Sequence, residues 1–501
     1  MTAIDASPRL LRLSRRTAGT VPAAAVGLVS AAVLVIAPNA TLAAGCALAA
    51  MVAVFVHPPT AAYVLIAVGP LVAGIDRGAL IPVARPNEAL LVLVAVPLVL
   101  RGASCLAASG TLRLRLTALD ASLWLLALAS SVWPLFWMTV RERSITIDDL
   151  LYALTLWKFL VVYLVVRASV RTVPQLRKCL WLSLGAAAIV GLVAILQSLH
   201  LFGVPQLLAT WYAPFGDQHA LEINRGTSLL ASSFAVADVM TFNLAIAVAM
   251  IVKGIGPRLP LAGLSSLFLV GCVASGQFSG VIGLFVGLAV VGLVTRTLTR
   301  GALVAAPVLV VAGAVMQPVL ERRINGFQTS RGLPSSWLAR LDNLERFFWP
   351  ELFRDFNWVF GVRPSARVPA PVAEWWREWV WIESGHTWLL WNGGIALLVA
   401  FVWFLVAAMR HGLRLCRRAD EVGVAATALV AALAVIAVLT TFDPHLTMRG
   451  TGDLLFALLG LTFVQARLSP GDSLSDGAAG TGDGVPATAV GAEAGVGLRL
   501  T

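Results

Sequence analysis

From residue 21 onward the chain falls into a succession of apolar runs, each close to the length of helix that crosses a bilayer, about 20 residues. Backbone N–H and C=O groups find no partner in lipid, so such runs allow only helices or a closed barrel, and unbroken runs of this length select helices. Spans are expected near 21–37, 39–56, 60–75, 86–100, 117–138, 149–166, 179–199, 228–252, 260–275, 279–295, 301–320, 388–409, 424–441 and 452–466. The expected fold is therefore all-α, a polytopic transmembrane helix bundle of about 12–14 spans. Composition agrees: 58% of the 501 residues are apolar and 13% charged, which excludes an ordinary soluble domain.

The net charge of +11 could point to nucleic acid, but the cations stand in short groups between apolar runs, where they orient helices in a membrane. No nucleic-acid partner is expected. With the N-terminus inside, the inner connections carry Arg101, Arg113 and Arg115; Arg167, Arg171, Arg177 and Lys178; Lys253 and Arg258; Arg296 and Arg300; and Arg410, Arg414, Arg417 and Arg418. One miscounted span would scatter these groups over both sides. The outer side then receives 140–148, 200–227, 276–280, the long loop 321–387 and 442–451. Localisation in the cell (plasma or inner) membrane follows, with any active site on the extracytoplasmic face.

Three regions result: a cytoplasmic N-terminus at 1–20, a transmembrane domain at 21–466 that includes the loop 321–387, and a disordered cytoplasmic tail at 467–501 rich in Gly, Ala, Ser and Asp. The Arg-containing N-terminus resembles a signal peptide, but spans follow at once and a retained first helix is expected. The five cysteines show neither a disulfide framework nor zinc spacing. No strong internal repeat is visible, which argues against an inverted-repeat transporter.

Loop 321–387 far exceeds the usual connection. Its many Trp, Phe, Leu and Val residues suit short helices lying on the membrane surface, and an interfacial belt is the preferred role for the tryptophans over stacking on sugars. It holds nine Arg, eight acidic residues and no Lys, a pattern that fits bidentate anion recognition but equally a chain poor in Lys throughout.

Individual positions narrow the choice. Arg225 stands at the outer boundary of a span, where a snorkelling anchor is the common role. Gln277 and Ser279 occupy a tight outward turn. Arg340 lies in an amphipathic stretch with Leu341, Leu344, Phe347 and Phe348 at helical spacing. Glu383 and His386, three apart, would share a helix face as a general base and its partner, or would form a polar cap entering the membrane.

Over roughly 210–466 these segments resemble the O-antigen ligase and O-antigen polymerase superfamily of polytopic membrane glycosyltransferases. RGTSLLASSF from Arg225 is similar to the family's Arg-Gly-Thr element leading into a span. ASGQFSGVIGL resembles its second element, with Phe278 where the family often has Arg. LARLDNLERFFWPELFRDFNWVFGV resembles the pattern of the large outer loop, and IESGHTWLLWNGG the run that ends in Gly and a new span. Counting back from Gly394 puts Glu383 at the family's usual His position and His386 at its Tyr.

The resemblance implies metal-independent glycosyl transfer without a cofactor. The donor would be a glycan on undecaprenyl or decaprenyl pyrophosphate, and the acceptor a sugar or lipid hydroxyl, with membrane lipids around them. Arg225 and Arg340 would hold the pyrophosphate, Gln277 and Ser279 would support them, and Glu383 or His386 would act as catalytic base. The Glu-Ser-Gly variant leans toward an exopolysaccharide polymerase rather than a ligase. The rival is a transporter or flippase of lipid-linked glycans, which requires ionisable residues inside spans; Asp238, Lys158 and Asp120 are the few available.

Overall fold

The computed structural model describes residues 38–81, 84–109, 117–213, 221, 225–325, 335–371 and 378–464. The expected N-terminus 1–20, first span 21–37 and tail 467–501 lie outside the described residues, as do Arg113, Arg115, Trp375 and Trp376. Eight helices are long and apolar enough to cross a membrane, and five shorter apolar helices accompany them. Together they take up every expected span from residue 39 onward, so this is a multi-pass membrane protein with an all-α bundle.

Two spans are each built from two helical pieces. The first breaks between Ala118–Ala129 and Val132–Val140, where the Ser130 and Ser131 hydroxyls both bond back to the Ala127 carbonyl and Ser131 also accepts the Trp157 indole N–H. Hydroxyls that bond back to the preceding turn commonly bend helices. The second breaks at Leu154, between Ile147–Ala153 and Thr155–Ser169.

The helices Ser233–Lys253 and Glu421–Leu439 are largely apolar and form the centre of the bundle, each with 83% of its spanning window buried. Helix Phe278–Thr295 packs on both of them through Gly280, Gly283 and Gly287. A methyl group on Gly280 would stand 2.6 Å from the Ala237 side chain, and one on Gly287 2.8 Å from that of Thr241. Small residues of this kind let helices approach where no hydrophobic effect drives them together.

Polar contacts sort the helix ends into two sets that follow the alternation read from the sequence. At one end Lys253 donates to the Cys416 and Arg418 carbonyls, Arg177 pairs with Glu421, Arg167 with Asp120, and Arg101 reaches the Phe55 carbonyl. At the other Arg449 pairs with Asp76, Arg77 with Glu88, and Arg340 with Asp443. The long loop folds over this second end.

That loop was expected to be helical, and most of its described part is: Ser335–Asn343, a π-helical turn at Leu344–Phe348, Trp349–Leu352 and Asn357–Phe360. A two-stranded antiparallel sheet follows, Arg367–Pro369 against Trp379–Trp381, with Val368 opposite Val380. The alternating Trp-Val-Trp explains the difference, because it buries Val380 and leaves the Arg367 guanidinium stacked on Trp379 at 4.1 Å. Arg363 and Arg367 tie the loop to the bundle through Asp149 at 2.6 Å and Asp148 at 2.8 Å.

Candidate functional site

The site begins with the Arg225-Gly226-Thr227 segment. Gly226 donates its N–H to the Ala274 carbonyl at 2.9 Å, and a Cβ there would meet the Ala194 carbonyl at 2.8 Å, so only glycine lets the segment lie this close to the helix Val173–Ser198. The buried Gln197 carboxamide accepts the N–H groups of Thr227 at 3.0 Å and Ser228 at 2.7 Å, which fixes the backbone after Arg225. Ser232 then caps the helix Ser233–Lys253, whose first turn carries Phe234.

Phe234 is where the separate sequence segments meet. The Arg225 guanidinium lies 5.7 Å from its ring centre, the Arg340 guanidinium 5.4 Å, and the His445 imidazole meets it edge-on at 5.8 Å. Both guanidiniums thus lie against one aromatic ring at the helix start, a contact that favours cations. Beside Phe234, Ser233 accepts the Gln277 amide at 2.6 Å. Gln277 and Ser279 are both buried, so Gln277 braces the first turn of the Phe234 helix and Ser279 sits in the next helix start.

Arg340 comes from the amphipathic helix Ser335–Asn343 and is clamped by two carboxylates. Its Nη1 lies 2.7 Å from Asp443 Oδ2, and its Nε 3.8 Å from Glu383 Oε1. Asn343, one turn further, donates to Glu383 Oε2 at 3.4 Å. Glu383 keeps 34% of its side chain exposed against 4% for Asp443, so Glu383 is the carboxylate that a bound molecule can reach.

Local geometry explains the Glu-Ser-Gly-His sequence. Ser384 is the N-cap of the helix Gly385–Leu415 and accepts from the Thr387 N–H. Gly385 donates to the Thr440 carbonyl at 2.8 Å, and a Cβ on it would be 2.5 Å from that oxygen. Glu383 therefore precedes the helix while His386 lies in its first turn, exposed and without a hydrogen-bond partner among the described residues. Of the two readings their spacing allowed, a shared helical face is not formed, and the segment is the polar entry to the helix. Arg225, Arg340, Glu383 and Gln277 converge; His386 stands apart from them.

Further along the same helix, Gly394 adopts φ 62° and ψ −155°, which breaks the helix and exposes the Trp391 carbonyl to the N–H groups of Val362 at 2.6 Å and Arg363 at 3.2 Å. Gly361, at φ 87°, lies so close that a Cβ would be 2.5 Å from the Asn392 carbonyl. The two glycines are in the left-handed region that L residues avoid, and they let the Phe-Gly-Val turn dock into the kink.

No known protein family, curated protein or solved structure matches this chain.

The structure adds three residues that the spacing of motifs did not single out as site residues. Asp443, Pro444 and His445 make a tight turn after the helix Glu421–Leu439, with the His445 N–H on the Asp443 carbonyl at 2.8 Å. The turn sends Asp443 to Arg340 and His445 inward, where its Nδ1 meets Asp238 Oδ2 at 2.8 Å. Thr451 donates to the same Asp238 oxygen at 3.0 Å. Both members of the Asp238–His445 pair are fully buried, and the remaining atoms His445 Nε2 and Asp238 Oδ1 have no hydrogen-bond partner among the described residues.

Burial pushes the Asp443 carboxyl above its ordinary range, and the opposing pull of Arg340, His445 and Arg225 does not restore it. Burial also acts to lower the His445 pKa, but the Asp238 carboxylate beside it, with help from Asp443, outweighs that and holds the imidazolium up. No group of three or more His, Cys, Asp or Glu side chains is gathered closely enough to hold a metal among the described residues. What the arrangement offers is two fixed guanidiniums for an anion, one reachable carboxylate, and a buried ion pair behind them.

Proposed function

We propose that the protein is a membrane glycosyltransferase that extends or transfers a glycan carried on a polyprenyl pyrophosphate, with polymerisation preferred to ligation. The observation that carries this reading is the meeting of Arg225 and Arg340 on Phe234 beside Glu383. Departure of the pyrophosphate leaves negative charge on its oxygens, and donors placed in advance for that charge are the strongest single source of rate enhancement. Arginine suits the task because it stays charged and offers paired donors to phosphate oxygens.

In the reaction an acceptor hydroxyl oxygen bonds to the anomeric carbon as the bond from that carbon to the pyrophosphate oxygen breaks. The hydroxyl proton passes to the Glu383 carboxylate, and the electron pair leaves with the pyrophosphate, facing Arg225 and Arg340. Glu383 is preferred to His386 as base because it is exposed enough to meet substrate and is oriented by Arg340 and Asn343. The covering loop 335–382 would hold the sugars and keep water from the glycosyl donor. On this reading the site faces away from the cytoplasm, at the end opposite the Arg-rich connections.

One observation favours the rival reading: Asp238, inside a span and fully buried against His445, is the type of ionisable residue used by transporters. The deciding experiment reconstitutes the protein with a synthetic polyprenyl-pyrophosphate oligosaccharide and follows both released polyprenyl pyrophosphate and donor movement across the bilayer. Release that depends on Arg225, Arg340 and Glu383 supports transfer. Movement of intact donor without release supports transport.

A further inference from the structure

A second group of arginines stands at the same end of the bundle, built from other residues. Arg449 pairs with Asp76 at 2.7 Å and donates to the Gly74 carbonyl at 3.0 Å, and Arg77 pairs with Glu88 at 2.8 Å. Arg85 lies among them without a carboxylate of its own: Glu88 accepts its backbone N–H at 3.0 Å, while its side chain makes no ion pair and its buried Nε has no hydrogen-bond partner among the described residues. Burial, then the like charges of Arg449 and Arg77, push the Arg85 guanidinium down to about 10. Arg85 is half-buried with its Nε sealed off, and a guanidinium crowded by two like charges in this way gains when an anion joins it.

The surroundings indicate which anion. Two residues past Arg85, Asn87 opens an apolar cleft lined by Leu65, Ile66, Leu91, Val162 and Leu454, with Gly450, the neighbour of Arg449, on its far wall. The one carboxylate on the cleft, Asp453, is already paired with Lys158 at 2.9 Å. The arginine cluster therefore adjoins hydrocarbon-lined space, through Asn87 two residues from Arg85 and Gly450 next to Arg449. The charges acting on Arg85 are Arg449, Arg77, Glu88 and Tyr152; those acting on Asp443 are Arg340, His445 and Arg225, and the two sets share no member.

We propose that Arg85 and the cleft that opens at Asn87 bind a phosphate-bearing lipid, its anionic headgroup on the guanidinium and its first chain carbons between Leu65, Leu91 and Leu454. The proposal is independent of glycosyl transfer. The test is native mass spectrometry of the full-length protein in detergent, titrated with phosphatidylglycerol and, separately, phosphatidylcholine.

Wild type is expected to retain phosphatidylglycerol about tenfold more tightly than Arg85→Gln, the loss expected from one charge-assisted contact. Arg85→Lys keeps most of that retention, and Arg340→Gln all of it, which separates this site from the transfer centre. Leu91→Trp, which fills the cleft and leaves the cation, also weakens retention. Phosphatidylcholine binds wild type and Arg85→Gln alike. Equal retention of phosphatidylglycerol by wild type and Arg85→Gln overturns the proposal, as does complete displacement of the lipid by excess inorganic phosphate, which assigns the site to a soluble anion.

Discussion

The Asp238–His445 pair allows the sharpest test of how this bundle is held together. Both side chains are buried, 2.8 Å apart, and Asp238 has Thr451 as its other donor. Replacing His445 with Ala leaves the Asp238 carboxylate facing one hydroxyl, and breaking a buried pair in this way costs about 3–5 kcal/mol. Asp238→Asn keeps an acceptor for a neutral His445 and costs about 1–2 kcal/mol, the scale of one altered hydrogen bond. The double variant Asp238→Leu, His445→Leu removes both charges and is expected within about 1–2 kcal/mol of wild type, because apolar replacement of a buried pair is near neutral.

Unfolding free energies of Asp238→Leu, His445→Leu and the double variant in mixed detergent micelles would close a cycle, with a coupling of about 0.5–3 kcal/mol expected for groups in contact. The pH profile supplies an independent check. The folded-state pKa of His445 is raised above its ordinary value of 6.5, so its stabilisation is fully present below about 6.5 and is lost as pH rises through the folded value. His445→Gln should flatten the profile in that window. Additive single-variant costs, together with a wild-type stability that does not fall as pH rises through it, would refute the reasoning.

Three further outcomes concern the site and its frame. Arg225→Gln and Arg340→Gln should each slow transfer by roughly 10²–10³-fold, the loss typical of one preorganised donor to a developing oxyanion, measured as initial rate of polyprenyl pyrophosphate release. Glu383→Gln should slow the same release by roughly 10²–10⁴-fold, whereas the exposed, unbonded His386 should tolerate Ala with less than about a threefold change, since nothing holds it in position for proton transfer. Gly385→Ala should destabilise by about 1–3 kcal/mol through forced overpacking, because its Cβ would press to 2.5 Å on the Thr440 carbonyl, and thermal unfolding in detergent would show it.

Hydropathy and the placement of Arg and Lys made the bundle legible, because those signals are local: a run either spans or it does not, and its flanks either carry cations or do not. Arg225 and Glu383 stand beside equally local signals, one and two residues before a glycine that fixes the chain's approach to its neighbour, Gly226 at Ala194 and Gly385 at Thr440. Asp443 and His445 were not legible in this way. Each is a single polar residue in a short connection, and their partners lie 103 and 207 positions away in the chain. Asp-Pro-His in an apolar turn was the available signal, and Asp238 inside a span was the other; nothing in periodicity joins them. The strand pair escaped because Arg367–Pro369 and Trp379–Trp381 are three residues each and acquire meaning only when Arg367 stacks on Trp379.

On the glycosyl-transfer reading proposed above, the Asp443-Pro444-His445 turn gives the two ion pairs a common purpose. An anion site must hold its arginine in place before the anion arrives, yet the holder must yield when it does. Asp443 meets the first need by its 2.7 Å contact with Arg340. It meets the second because burial has raised its affinity for a proton: an incoming phosphate oxygen that takes over the guanidinium removes the main charge opposing that burial, and Asp443 can then go neutral at modest cost. His445, bonded to Asp238 on the other side of Pro444, anchors the turn to the bundle. Glu383, further from Arg340 and more exposed, is on that reading the carboxylate that meets the acceptor. The division of labour between two carboxylates thus follows from where each sits relative to one guanidinium, and exchanging their side-chain lengths by Asp443→Glu and Glu383→Asp should cost more activity together than Asp443→Asn alone.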